Sequence, residues 1–498
     1  MDHKKALILE LSLMQPALAY DPTRRRAWTS ASPSPAECAR EYLYSQPCDY
    51  RNELNGFYTV NARRIRNHAK YYVFVVCYNE LANLRRIAEM YGGQLGISAT
   101  DLVLCYVVNF TPEPGSAKSA RDYDVFCQSV DSVLDLQRDY PFVHLLAKQF
   151  RPGEGGLSRA RKYGMDYCLH CFLMSTNVRA NHFIVSNEGD MLSIPVSYLL
   201  SYDAVFSATG DSFVQGAVHY PEEVKIAPLL DAYTRIRESV HLGQGMSPRH
   251  LNLDGIMPIG RNYAISPKLV ALSGGIDPIF SAGAEDDLVF GADLQIVGGD
   301  KLKQHSPIPL TTSPRREIMI VRDLLEGRNS DAKRVYENFH SITDIYDHNW
   351  EWYKGQIPAL AEYPATCRNT AIIANQFYQW VHRTVAKRHF ADTDGFGDII
   401  TRYRQHDIAY WARENALLEL YRCEVGKMPV HERLRLYHEM ANEALAWFND
   451  LIPDDIWFEA ATFTLESCLA DAAVDLGSVA AEETAHSADP QSRFERLS

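Results

Sequence analysis

From Tyr71 onward the chain alternates short apolar runs with longer stretches of helical composition. The runs are 71–77, 102–108, 142–146 and 183–185, continued at 204–206, and between them stand stretches such as 81–91 and 157–171. Apolar runs of this length without polar alternation predict strands buried on both faces. Helix-sized spacers between them predict a mostly parallel sheet with helices on both sides. The expected unit is an α/β domain over residues 70–314.

Past residue 315 the strand signals stop and a helical period takes over. Leu434, Tyr437, Ala441, Ala444, Leu445 and Phe448 recur at three- and four-residue intervals and so share one helical stripe. Trp350, Trp352, Trp380, Trp411, Trp447 and Trp457 all fall in this half. Aromatics at helical spacing pack cores more often than they bind ligands. An all-helical domain is expected over 315–476, followed by a tail at 477–498 whose Ala, Glu and Ser content does not build a core. No repeat of 20–50 residues occurs.

The 498 residues allow two or three domains, and 46% hydrophobic content is ample for a sizeable core. Lys+Arg 50 against Asp+Glu 63 gives a formal charge of −13, which argues against general affinity for nucleic-acid backbones. Residues 1–69 are an exception, a basic N-terminal extension carrying Arg24, Arg25, Arg26, Arg63, Arg64 and Arg66. Docking to an acidic partner or membrane surface is one reading of it, and a solvated arm lying on the next domain is the simpler one. The ten cysteines are scattered, with Cys77 and Cys105 inside strand-like runs, so reduced thiols in a cytoplasmic protein are expected rather than a disulfide framework. No stretch reaches the ~18 consecutive apolar residues of a membrane span. Lys4 and Lys5 precede an apolar run from Ala6 to Met14 and Ala17-Leu18-Ala19 resembles a cleavage site, as in a signal peptide, but Glu10 interrupts that run.

Ligands of open parallel sheets bind beyond the carboxyl ends of the strands, so the residues that follow the runs are the informative ones. The fourth run ends in Ser186-Asn187-Glu188-Gly189-Asp190. Two acids one residue apart on a loop suit a divalent cation bridging a diphosphate, because hard oxygens converge there while other positions stay open. A surface turn with a helix cap is the structural alternative. Glu285, Asp286 and Asp287 form a second acidic group, after Gly274-Gly275-Ile276-Asp277 and ahead of an apolar helical pattern. The helix dipole tolerates them there, and their crowding should raise at least one pKa, which suits a general base. Gly155 and Gly156 precede a basic helical stretch with Arg159, Arg161 and Lys162, a ready anion site. The chain has neither the dinucleotide-binding glycine fingerprint nor a phosphate-loop Gly-Lys-Ser/Thr at this point.

Taken in order, Tyr78-Asn79-Glu80 after the first strand, Gly-Leu-Ser-x-Ala-Arg-x-x-Gly at 156–164, the acid-x-acid turn with Pro195 beyond it, and Gly-Gly-Ile-Asp followed by Glu-Asp resemble the GT-A fold glycosyltransferases, family 2 above all. The resemblance covers roughly residues 70–310. It implies that Tyr78, Asn79 and Glu80 border the nucleotide of a sugar donor, with Arg161 near its diphosphate. It further implies that Glu188 and Asp190 stand in the Asp-x-Asp position, Asp190 binding Mn²⁺ or Mg²⁺. Asp286 matches the base of inverting members, with Asp287 an equal alignment and Glu285 beside them. His305 resembles a late histidine that some such enzymes add to the metal shell, although a lone His at a strand end is as readily a surface residue.

The chain departs from the pattern in two places. Asn109 stands where the family places an aspartate that reads the base, and Glu188 lengthens the first acidic arm by a methylene. Cys168, His170 and Cys171, with Cys127 or His182, would be a zinc set only with a second matched pair, which is lacking.

The expected activity is therefore transfer of a monosaccharide from a nucleotide-diphosphate sugar to an acceptor nucleophile, metal-dependent and inverting. The acceptor is a protein or peptide, a metabolite or a glycan. A non-catalytic sugar-nucleotide-binding protein whose helical half engages a partner is the second reading. A sugar-1-phosphate nucleotidyltransferase is the third, and the absence of a Gly-rich, Arg-bearing loop after the first strand speaks against it.

Overall fold

The computed structural model describes residues 2–20, 33–62, 68–152, 154–177, 181–210, 212–246, 260–278, 303–326 and 348–364, with 290, 291, 293, 294, 297 and 369. The helical stripe at 431–448, the tail, the arginines at 24–26 and 63–66, and residues 285–287 lie outside the described residues. The helices are α1 (Asp2–Ser12), α2 (Pro35–Ser45), α3 (Cys48–Asn61), α4 (Leu84–Gly92), α5 (Ala117–Asp139), α6 (Leu157–Leu173), α7 (Tyr198–Thr209), α8 (Pro228–Met246), α9 (Pro267–Ser273), α10 (Arg315–Leu325), α11 (Trp350–Lys354) and α12 (Ile357–Ala361). The strands are β1 (Tyr71–Cys77), β2 (Leu102–Phe110), β3 (Val143–Gln149), β4 (Phe183–Glu188), β5 (Met191–Ser193), β6 (Phe213–His219), β7 (Asn262–Ile265) and β8 (Lys303–Thr312).

The chain divides into two compact units. The first takes in 1–225, 240–320 and 331–357 and contains the sheet. The second takes in 226–239, 321–330 and 358–498; within it Arg235 bonds Asp231 at 2.9 Å along one face of α8.

The eight strands among the described residues form one sheet in the order β3-β2-β1-β4-β7-β6-β8-β5. β1 pairs in parallel with β2 and β4, β2 with β3, and β6 with β8, whereas β7 runs antiparallel to both its neighbours and β5 antiparallel to β8. The architecture is thus the expected α/β one, mostly parallel. Every residue of β1 is buried, as an apolar run with no alternation requires in a sheet covered on both faces. α6 packs across β1 and β2. Gly164 permits that approach, because a Cβ there would come 2.6 Å from the Phe74 ring.

One expected strand is a helix. Residues 204–206 belong to α7, where Tyr198, Tyr202 and Phe206 are buried at four-residue intervals and Phe206 stacks on Phe183 at 4.8 Å. A three-residue apolar window cannot separate the two periods, and the longer window carries the helical one.

Nor is the N-terminal stretch a solvated arm where it is described. Ser34 and Glu37 form a capping box at the start of α2, with Pro35 in the first turn. Lys5 pairs with Asp131 at 2.6 Å, and Ile8 of α1 is fully buried. Two buried polar networks join these helices to the sheet layer. Glu53 bonds Lys148 at 2.6 Å and accepts from the Tyr163 hydroxyl at 2.9 Å. Asp166 accepts from Tyr42 at 2.8 Å and Tyr50 at 3.0 Å and pairs with Lys162 at 3.0 Å. Burial raises the Glu53 carboxyl and lowers the Lys148 ammonium, Lys148 and Glu53 opposing those shifts in turn.

Cys168 and Cys171 lie buried on α6 as free thiols. His170, held down to about 4 by burial, packs edge-on against Tyr58. Among the described residues no three His, Cys, Asp or Glu side chains gather as a metal set, and no described helix is long and apolar enough to cross a membrane.

Candidate functional site

Strand order places a crevice. The chain leaves β1 for β2 and β3 on one side, then returns through α6 to β4 on the other. In a parallel sheet the loops beyond the carboxyl ends diverge at such a reversal, which opens a ligand crevice. Val76 is in register with Glu188, so Tyr78-Asn79-Glu80 and Glu188-Gly189-Asp190 lie side by side at that reversal, where the crevice is expected.

Directly after β1 the backbone turns sharply. Asn79 has φ 54°, a left-handed conformation that asparagine tolerates better than most residues. The Tyr78 hydroxyl donates to Asp122 Oδ2 at 2.8 Å and the Asn79 amide to Asp122 Oδ1 at 2.9 Å. Asp122, on α5 and 4% exposed, thereby fixes both residues just beyond the carboxyl end of β1. Asn109 is engaged in the sheet, its amide donating to the Cys77 carbonyl at 3.1 Å.

Glu80 is 5% exposed and works as a brace. It accepts from Arg315 and, at 2.6 Å, from Asn83, which also donates to the Gly189 carbonyl at 2.9 Å. Burial raises its carboxyl, with Arg315 opposing. Gly189 is required by this closeness, since a Cβ would come 2.7 Å from Glu80 Cγ and 3.1 Å from the Val76 carbonyl oxygen. Gly189→Ala is expected to destabilise the fold by about 1–3 kcal/mol, as overpacking does. A urea midpoint unchanged from wild type would contradict this packing.

Guanidinium groups hold the acid-x-acid turn. Arg161, from α6, bonds Glu188 Oε1 at 2.6 Å, and Arg261 Nε bonds Oε2 at 3.1 Å. Burial would raise the Glu188 carboxyl, but Arg261, Arg161 and Arg316 outweigh it and bring it down to about 2. Asp190, 6% exposed, accepts from the Thr312 hydroxyl at 3.1 Å through Oδ1, while Oδ2 lies 3.8 Å from Arg315 and 4.0 Å from Arg261. Burial acts to lower the Arg261 guanidinium, and Asp190 and Glu188 more than offset it, leaving it well above its ordinary value. Gly260 lies directly over Arg161, where a Cβ would come 2.0 Å from Nη2.

The structure thus joins Glu80, Arg161, Glu188 and Asp190 in one ion-pair network through Arg261 and Arg315, with Tyr78 and Asn79 directly ahead of Glu80. It places His305 on β8 in register with Gln215. The candidate base group Glu285, Asp286 and Asp287 lies outside the described residues. Sequence reasoning passed over Asp122, Arg261 and Arg315. No local signal marks the arginines: Arg261 immediately precedes β7 and Arg315 opens α10, elements whose places are set by partners distant in sequence.

A divalent cation needs several convergent oxygens at about 2.1 Å and free positions besides. Both Glu188 oxygens and one Asp190 oxygen are already bonded, and the remaining one faces two guanidinium groups. As arranged, these donors do not fit the Mn²⁺ or Mg²⁺ expected at Asp190 and Glu188. A cation on Oδ2 would stand within about 6 Å of two fixed positive charges, which repel it.

No family model matches the chain, and no curated protein matches it. Among solved structures it is similar to glucosyl-3-phosphoglycerate synthase from Mycobacterium tuberculosis, at 12% identity over 59% of this chain and 79% of that one, with a TM-score of 0.27. It is similar to S. aureus TarS 1–349, at 12% identity over 71% and 92%, with a TM-score of 0.29. It is also similar to the mannosyltransferase PcManGT from Pyrobaculum calidifontis, solved with GDP-Man and Mn²⁺, at 12% identity over 83% and 96%, with a TM-score of 0.30. At such scores these likenesses transfer no activity, and the functional reading rests on the chain's own residues.

Proposed function

We propose that the chain is a glycosyltransferase that moves a monosaccharide from a nucleotide-diphosphate sugar to an acceptor nucleophile. The observation that carries this reading is the meeting, at the reversal in strand order between β1 and β4, of the Tyr78-Asn79-Glu80 segment, Arg161 and the Glu188-Gly189-Asp190 turn. These come from three separated parts of the chain in the order that the GT-A resemblance implies.

In this reading Tyr78, fixed by Asp122, offers a ring face to the nucleobase. Arg161 faces the diphosphate and Asp122 keeps Asn79 turned toward the crevice. Asp286, with Asp287 and Glu285 beside it, takes the acceptor's proton as the acceptor attacks the anomeric carbon from the face opposite the leaving diphosphate, which inverts the centre. No step runs through a divalent cation, because the acidic turn as arranged offers it too few free oxygens.

Release of nucleoside diphosphate from a panel of nucleotide sugars, assayed with the full chain and pooled acceptors, tests the proposal. Turnover of one donor that falls at least tenfold in Tyr78→Ala supports it. Tight binding of a nucleotide sugar without turnover under any acceptor condition favours a binding protein instead.

A further inference from the structure

We infer that Arg261 and Arg315, with Arg161 beside them, supply the positive charge that holds the donor's diphosphate, in the place where a divalent cation was expected. The identity of the ligand rests on the glycosyl-transfer reading above; the anion site itself rests on the geometry of the crevice.

The three arginines come from α6, from the residue before β7 and from the first position of α10, and they converge on one acidic turn. A side chain at any one of these places would be an ordinary ion pair. Three from separate elements around two carboxylates form a cradle whose shape the fold sets. Arg261 is 7% exposed at its side chain, and its Nη1 has no hydrogen-bond partner among the described residues. A buried guanidinium N–H without an acceptor is costly, and an anionic oxygen entering the crevice is the group that would satisfy it. Guanidinium also matches phosphate geometry, two parallel N–H donors meeting two oxygens, where ammonium offers only a point charge.

The carboxylates then have a role other than metal binding. Glu80, Glu188 and Asp190 hold the guanidinium groups in place when no donor is bound, so little reorganisation is needed on binding. They also restrain affinity, because each carboxylate faces the incoming anion with like charge. Two ways of building the site therefore differ in sign. If arginines hold the diphosphate, neutralising Glu188 strengthens binding of the anion. If a cation bridges Glu188 and Asp190 to the diphosphate, the same change weakens it.

Calorimetric titration of the full chain with inorganic pyrophosphate, UDP and GDP, in EDTA and again with Mn²⁺, decides between them. Pyrophosphate and at least one nucleoside diphosphate are expected to bind in EDTA, with Kd changed less than about threefold by Mn²⁺. Glu188→Gln is expected to tighten pyrophosphate roughly three- to tenfold, the effect of removing one charge a few ångströms away. Arg261→Lys keeps the charge but loses the fork, and is expected to weaken pyrophosphate at least tenfold. Should that variant not fold, the sign of the Glu188→Gln effect still decides. Binding that appears only with Mn²⁺, and weakens in Glu188→Gln and Asp190→Asn, overturns the inference. Pyrophosphate binding in EDTA without transfer from any nucleotide sugar upholds the cradle and overturns the proposed function, whereas transfer seen only with Mn²⁺ does the reverse.

Discussion

Replacing Lys148 by methionine is expected to lower the free energy of unfolding by about 3–5 kcal/mol, because it strands a charge where water does not reach. Glu53 and Lys148 are 0% and 1% exposed at their side chains and 2.6 Å apart. Glu53 comes from α3, in the first seventy residues, and Lys148 from β3, so the pair joins the N-terminal helices to the sheet. Without Lys148 the Glu53 carboxylate keeps, among the described residues, the Tyr163 hydroxyl, a neutral donor at 2.9 Å. Burial already raises Glu53, and loss of the ammonium raises it further. A carboxyl whose folded pKa lies above its unfolded value binds more protons when folded, so stability rises as pH falls toward the ordinary carboxylate value. The variant is therefore expected to recover more stability than wild type as pH falls toward the ordinary carboxylate value. Adding Glu53→Gln should restore much of the loss at pH 7, since replacing both partners of a buried pair is far milder than removing one. Urea unfolding of the three variants checks this, and a loss under 1 kcal/mol for Lys148→Met would contradict the buried pair.

That ion pair also marks where the sequence stopped being legible. β1 could be read to the residue, because seven consecutive apolar side chains in a strand buried on both faces leave no other period to fit. β2, β3 and β4 followed within a few positions for the same reason. The other half of the sheet could not be read. β6 carries Gln215 and Gly216, β7 is four residues long, and β8 contains Ser306, Pro307 and Pro309. Their places are set by partners distant in sequence, and local pattern does not encode those. The N-terminal helices were hidden in a similar way: charge counting registers Lys4, Lys5 and Arg40, whereas the decisive residues are Tyr50, Glu53 and Phe57, which are buried against the sheet layer.

The candidate site divides along the same line. Glu188 and Asp190 were visible because they end an apolar run, and the strand order puts that end at a reversal, where a crevice is expected. Their surroundings were not visible. Arg261 lies 73 residues beyond Glu188 and Arg315 lies 235 beyond Glu80, and neither forms part of a compact motif. A sequence shows an acid-x-acid turn as free carboxylates, and only the fold shows that guanidinium groups already hold them. That difference decides the chemistry, because free carboxylates invite a cation whereas paired ones present the arginines behind them.

The proposed base allows the sharpest test on turnover. Asp286→Asn is expected to lower kcat by roughly 10²–10⁴, the usual contribution of a positioned general base, with KM for the donor changed less than about threefold. Asp287→Asn should lower kcat less and move the pH profile. Three consecutive carboxyls at 285–287 are expected to repel one another when ionised, which would raise at least one of them. Removing one negative neighbour relieves that repulsion and lowers the pKa of those that remain. A base with a lower pKa stays deprotonated to lower pH, so the acidic limb of kcat against pH should shift downward in Asp287→Asn. A loss of 10²-fold or more in Asp287→Asn, with Asp286→Asn showing only the shifted limb, would exchange the two roles. Turnover within threefold of wild type in both variants, and in Glu285→Gln, would remove this acidic group from the reaction and leave deprotonation of the acceptor to a residue elsewhere in the chain.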